Sequence, residues 1–331
     1  MKLKLTVALP NFNHGHFLPR CLEAIVEQTR RPDELIILDD GSTDDSAAII
    51  RYYAANYSFI RPIYKEKNEG LLRAITALYQ AIDTDFSYWA ASDDYICTPY
   101  FFQEAMAAAE LDSRVALVSG KVETVFKESN RKCVAEVSKW NHSHYATPAE
   151  VLNDYYEVEP ANQSLSAATI YKHKALSEVG GFRQELGWWC DTFAIRAISL
   201  KYGMFYLDRV CTCFSYSQSS FSGAGVRNIK NSLDFVARAA WLMKSGPFRS
   251  IFPDWHVANW LNGYRDILIN SDKASVYRQM DRSFLHPLDS IRAPRLLRWL
   301  VRRMVKPFYT ARVHCRRQLL RQYSGDVSCY R

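Results

Sequence analysis

The sequence predicts an α/β fold in which a mostly parallel sheet is flanked by helices and followed by a helical, basic C-terminal extension. Three observations predict it. Short apolar runs alternate with segments whose apolar residues recur at helical spacing over the first 90 residues. The ends of those apolar runs carry small, polar and acidic residues, as the ligand-binding edge of an open α/β sheet does. Near residue 222 the pattern changes to helical stretches, the last of them strongly basic. A chain of 331 residues accommodates one large α/β domain with an appendage, or two ordinary domains.

Each element follows in order. LTVALP (5–10) reads as a buried strand, and FLPRCLEAIVEQT (17–29) as a helix with Leu18, Leu22, Ile25 and Val26 on one face. ELIILD (34–39) is a second strand. DGSTDDS then turns the chain into a helix near 45–56, with Gly41 permitting the turn. IRPIYKE (60–66) and FSYWAA (86–91) are further strands, separated by a helix over 70–82. Strand and helix in alternation mean βαβ units, whose right-handed crossovers wind helices onto both faces of a parallel sheet. Segment 121–163 is polar and fits no regular βα unit. The stretch 181–203 places Asp191 just before a helix that turns Phe193, Ala194, Ala197 and Ile198 to the core.

Composition excludes several classes. Hydrophobic residues make up 48% and charged residues 23%, which fits a globular protein rather than a disordered chain or a fibre. The eight cysteines form no CxxC pair, which predicts a reduced, cytosolic compartment rather than a disulfide framework or zinc site. The N-terminal apolar run is too short for a signal peptide, and no run reaches membrane-spanning length. No GxGxxG follows the first strand and no GxxxxGK[ST] is present, so dinucleotide and phosphate-loop sites are disfavoured. His14, His16, His142 and His144 read as loop histidines rather than metal ligands.

The acids at the strand ends pose a physical problem. Asp93 and Asp94 stand side by side directly after an apolar strand, and Asp39 and Asp40 do the same earlier. Burying adjacent like charges costs several kcal/mol unless something compensates them. A solvated turn and helix cap is the plain solution. A hard cation, which prefers carboxylate oxygens and bridges to phosphate oxygens, is the other.

An ordered set of motifs, VALPNFN (7–13), DDGSTDDS (39–46), KNEGLLRA (67–74), SDD (92–94), GGF (180–182) and CD (190–191), resembles the glycosyltransferases of family 2, with the GT-A, Rossmann-like fold, over roughly residues 4–215. The resemblance implies that Pro10, Phe12 and Asn13 lie against a nucleotide, that Asp40 accepts hydrogen bonds from a uracil-type base, and that Arg73 approaches the nucleotide. It implies that Asp93 touches the ribose and that Asp94 coordinates Mg²⁺ or Mn²⁺ on the diphosphate of a nucleotide sugar. Asp191 takes the part of catalytic base. Family members commonly carry Glu-Asp where this chain has Cys190-Asp191, so the first acid is lost and the second kept. Trp188 and Trp189 are expected to form a wall for an acceptor sugar, with core packing the alternative for one of them. The implied activity is inverting, metal-dependent transfer from a nucleotide-diphosphate sugar, UDP-linked by expectation, to a hydroxyl of a saccharide or lipid-linked acceptor in cell-surface polysaccharide synthesis. A nucleotidyltransferase of similar fold would carry a Gly-rich basic loop after the first strand, which PNFNHGH is not. A non-catalytic nucleotide-sugar-binding scaffold would have lost the acids, which are present.

On this reading residues 1–221 form the catalytic domain, with a nucleotide-sugar half to about 120 and an acceptor half from 121, and 222–331 a helical region. Stretches 231–246, 255–270 and 293–308 read as helices. Residues 292–321 hold ten of the 42 Lys and Arg and no acid, so the rest of the chain is slightly acidic and the net charge of +7 belongs to the tail. In 293–308 apolar pairs recur every four residues opposite Arg295, Arg298, Arg302 and Lys306. That is the pattern of an interfacial helix drawn to an anionic membrane surface, with a docked helix as the alternative. The expected location is the cytoplasmic face of a membrane. No nucleic-acid module accompanies the basic stretch. Nothing in the sequence sets an oligomeric state.

Overall fold

The computed structural model describes residues 2–127, 129–135, 139–156, 166–216 and 228–264. The expected basic helix over 293–308, and the end of the one expected over 255–270, lie outside them.

Strand β1 (Leu5–Asn11) buries Leu5, Val7, Ala8 and Leu9 completely, and β2 (Glu34–Asp39) does the same with Leu35 to Leu38. Runs apolar on both sides demand cover on both faces. Helices α1 (Leu18–Val26), α2 (Ser46–Asn56) and α4 (Phe101–Leu111) cover one face through Leu22, Ile25, Ile50 and Phe102. Helix α3 (Leu71–Ala81) covers the other through Ala74 and Leu78, against Ala8, Ile36 and Leu38. Strands β3 (Ile60–Tyr64) and β4 (Phe86–Trp89) flank the first two, and β1 to β4 pair in parallel throughout.

The second half of the sheet is mixed. β9 (Thr169–Lys172) runs antiparallel between β4 and β6 (Leu117–Phe126), and β6 pairs in parallel with the long β10 (Met204–Tyr216). The main order is β3-β2-β1-β4-β9-β6-β10-β5, where β5 is the two-residue strand Tyr95–Ile96. Strands β7 (Arg131–Ala135) and β8 (His144–Ala146) pair antiparallel with β6 and β10. The polar segment after 121 is thus not irregular at its start: β6 runs on to Phe126 and turns into a hairpin with β7. Past Gly120 only Val122 of β6 is fully buried and the other residues are partly exposed, so the segment is polar without being a loop.

After α5 (Pro148–Glu150) and α6 (His173–Glu178), α7 (Cys190–Tyr202) buries Phe193, Ala194, Ala197 and Ile198, as its sequence predicts. Helices α8 (Ile229–Met243) and α9 (254–264) close over it. Val236, Ala239, Phe248, Phe252 and Trp260 share one apolar cluster with Phe193. Among the described residues, no helix is long and apolar enough to cross a membrane.

Two antiparallel steps, β4 to β9 and β9 to β6, restore the direction, so β6 and β10 run with β1–β4. The exits of β1, β2, β3 and β4 and the entry of β9 therefore lie along one edge of the sheet.

Candidate active site

The edge is held by a net of short polar side chains. Asn11, at the end of β1, donates through Nδ2 to Asp39 Oδ1 at 2.9 Å and to Ser42 Oγ at 3.3 Å. Ser42 in turn donates its hydroxyl to Asp39 Oδ1 at 2.5 Å. Ser92, beyond β4, donates to Asn11 Oδ1 at 3.2 Å. Asn13 adopts a left-handed backbone, φ 52°, and is locked there: its N–H donates to Ser42 Oγ and its Oδ1 accepts from the Thr43 N–H, each at 2.8 Å. Three strand exits are thereby fixed to one another. Asp39 is a structural acid in this net. Asn11, Ser42 and Ser92 were not singled out from sequence, although all three lie inside the quoted motifs.

Asp40 has a different task. It is almost fully buried, and its carboxylate accepts the Glu69 N–H at 3.1 Å and the Gly70 N–H at 2.8 Å. This ties the loop after β3, and the first turn of α3, to the end of β2. A carboxylate offers about four acceptor positions, so capacity is left for a ligand. Gly41 makes the close approach feasible: its φ is +73°, and a Cβ there would lie 2.7 Å from Lys67 Cα. Arg73 stands exposed in the first turn of α3, and Phe12 is 38% exposed beyond β1. Pro10 pairs within the sheet.

Asp93 and Asp94 sit in the turn between β4 and β5. Asp94 Oδ1 accepts the backbone N–H of Ser215, near the end of β10, at 2.7 Å. Burial, and then the charge of Asp93, push the Asp94 carboxyl well above the ordinary range, opposed by the Ser215 N–H and by Lys127. Lys127, directly after β6, places Nζ 3.8 Å from Asp93 Oδ2 and 4.2 Å from the centroid of the Phe17 ring. Nothing in the local sequence singles Lys127 out; only the sheet brings it here.

Asp191 lies in the first turn of α7 rather than ahead of the helix, where the sequence puts it. It accepts the Thr192 N–H at 2.6 Å and bonds the Ser166 side chain, near the entry of β9 at the same sheet edge. Burial raises its carboxyl pKa against those hydrogen bonds. Trp188 is partly buried. Trp189, expected at an acceptor wall, is instead 2% exposed and packs 4.7 Å from Trp260 of α9, so its ring belongs to the core. Sequence cannot separate two adjacent indoles, because only a turn of backbone decides which faces inward.

Among the described residues, no group of three or more His, Cys, Asp or Glu could hold a metal ion by itself. What Asp93 and Asp94 offer is a pair of hard oxygen donors whose charge is incompletely offset. That donor set fits Mg²⁺ or Mn²⁺ completed by ligand oxygens.

Residues 6–161 match the family model described as "Glycosyl transferase family 2". A cholesterol galactosyltransferase of Borreliella burgdorferi is 37% identical over 93 residues, 28% of this chain and 26% of that protein. The chain spans 36% or less of the length of the first curated relatives it matches. The crystal structure of S. aureus TarS 1-349 in complex with UDP-GlcNAc aligns with a TM-score of 0.65 at 16% identity, covering 85% of this chain and 77% of that one. A mannosyltransferase of Pyrobaculum calidifontis, in complex with GDP-Man and Mn²⁺, aligns with a TM-score of 0.52 at 15% identity, covering 86% and 78%. At such identities the structural likeness concerns the fold.

Proposed function

We propose that this chain, whose residues 6–161 match the glycosyl transferase family 2 model, is a glycosyltransferase of that family and transfers a sugar from a nucleotide-diphosphate sugar, UDP-linked, to a hydroxyl of a saccharide or lipid-linked acceptor, with inversion, in the synthesis of cell-surface polysaccharide. The observation that carries the reading is the arrival of Asp94 and Asp191, two desolvated carboxyls from distant segments, at one edge of the sheet. The UDP-GlcNAc bound by TarS and the GDP-Man and Mn²⁺ bound by the Pyrobaculum enzyme support the donor class.

In this reading Phe12, Asn13, Asp40, Arg73 and Asp93 hold the nucleotide, with Pro10 beside them, and Asp94 holds Mg²⁺ or Mn²⁺. When bound, the cation neutralises charge on the leaving diphosphate. Asp191 accepts the proton of the acceptor hydroxyl as that oxygen attacks the anomeric carbon. A general base of this kind contributes about 10²–10⁴-fold. A single displacement inverts the centre and needs no covalent nucleophile. Trp188 remains as the acceptor-side indole. Residues 1–221 act as the catalytic unit, and 222–331 as a helical extension whose basic stretch brings the enzyme to an anionic membrane.

Calorimetry with UDP tests the site directly. Binding is expected with Mn²⁺, and to fall sharply in EDTA and in Asp94→Ala. Equal affinity with and without the cation rejects a metal at Asp94.

A further inference from the structure

Lys127 is a cation placed where the proposed reaction wants a different cation. It reaches the acids from another strand, and two further contacts hold it there. Its backbone N–H donates to Tyr216 O at 3.0 Å, which anchors the end of β6 to the end of β10. Its ammonium lies over the Phe17 ring at the start of α1, within cation–π range. The side chain is 35% exposed, so its ammonium is not locked in the core.

A divalent ion seated on the carboxylate oxygens approaches them to about 2.0–2.6 Å. It then competes for the charge that holds Lys127 3.8 Å from Asp93, and it repels the ammonium. The diphosphate that binds with the ion is an anion rich in acceptor oxygens, and a lysine ammonium is a flexible point charge suited to it. We propose that Lys127 is a diphosphate-binding residue of this site, held by Asp93 and Phe17 until a divalent cation displaces it onto the phosphates. The inference rests on the nucleotide-sugar reading above and adds to it an exchange of one cation for another.

Exchange predicts effects of opposite sign from one substitution. In Lys127→Met, Mn²⁺ alone, measured as loss of the free-ion paramagnetic resonance signal, binds about 3- to 10-fold more tightly, because the competing charge is gone. UDP at saturating Mn²⁺, measured by calorimetry with GDP in parallel, binds about 10-fold more weakly. Uridine and guanosine, which lack phosphates, bind as to the wild type. Lys127→Arg restores the nucleotide affinity. A wild-type protein that binds neither nucleotide with Mn²⁺ overturns the site reading and this inference together. A wild-type protein that binds, with Lys127→Met equal to it in Mn²⁺ or nucleotide affinity, overturns this inference alone and leaves Lys127 a surface ion pair.

Discussion

Burial raises the carboxyl pKa of Asp191, while the Thr192 N–H favours the anion. A base must be ionised to work, so the acid limb of the rate profile should lie above the ordinary carboxylate range. The same shift bears on stability. A carboxyl whose folded pKa is raised contributes most below its unfolded value of about 3.9, and loses that contribution as pH rises through the folded value. Ionised Asp191 therefore weakens the fold near neutrality. Asp191→Asn should abolish turnover, keep donor affinity, and raise Tm at pH 7 but not at pH 3.5. For a chain of this size the rise is about 1–2 °C per kcal/mol relieved. Kinetics, calorimetry and thermal unfolding at the two pH values check this. Transfer at the wild-type rate would reduce Asp191 to a first-turn carboxylate of α7.

At the scale of the element, the start of α3 depends on a residue from another strand. Gly70, its N-cap, supplies no side chain, and no residue of its own first turn caps it. The Glu69 and Gly70 N–H groups go instead to Asp40. Asp40→Ala removes an acceptor shared by the part-buried Glu69 and Gly70 N–H groups, the second of which keeps Asn68 Oδ1 at 2.8 Å, and should cost about 0.5–1.5 kcal/mol. Urea unfolding measures the loss, and hydrogen exchange should speed up first at Glu69 and Gly70. An unchanged midpoint would mean that water replaces the carboxylate. The segments 5–11 and 34–39 were legible as strands from their largely apolar runs, and 60–64 and 86–89 from their short apolar residues and their place in the alternation. The helices after them were legible from their spacing. Strand β6 past Gly120 was not, since most of its residues there are only partly buried and Lys121, Glu123 and Thr124 give it the polarity of a loop.

For the whole molecule, charge is segregated: the tail is basic and the rest slightly acidic. Each basic residue near an anionic surface contributes about 1 kcal/mol, an attraction that salt screens over about 10 Å at 0.1 M. The full chain should float with anionic vesicles, partly resist high salt through its apolar stripe, and lose flotation when it ends near Pro287. Transfer to a soluble acceptor should survive that truncation, because the proposed catalytic residues precede 222. If both forms float equally, or neither floats, the tail does not serve as a membrane anchor.

The sequence by itself determined the α/β alternation and the placing of acids at strand ends, because helical and strand periodicity are properties of near neighbours. It also showed that Asp93 and Asp94 need compensation, since adjacency is visible in one dimension. Only the tertiary structure decided that β9 inserts antiparallel between β4 and β6, and that Trp189 rather than Trp188 enters the core. It alone set the Ser215 N–H on Asp94, 121 residues away, and Lys127 beside Asp93. Such contacts join segments whose local patterns are independent of each other. No spacing records them, because the energy that selects them comes from packing the whole sheet.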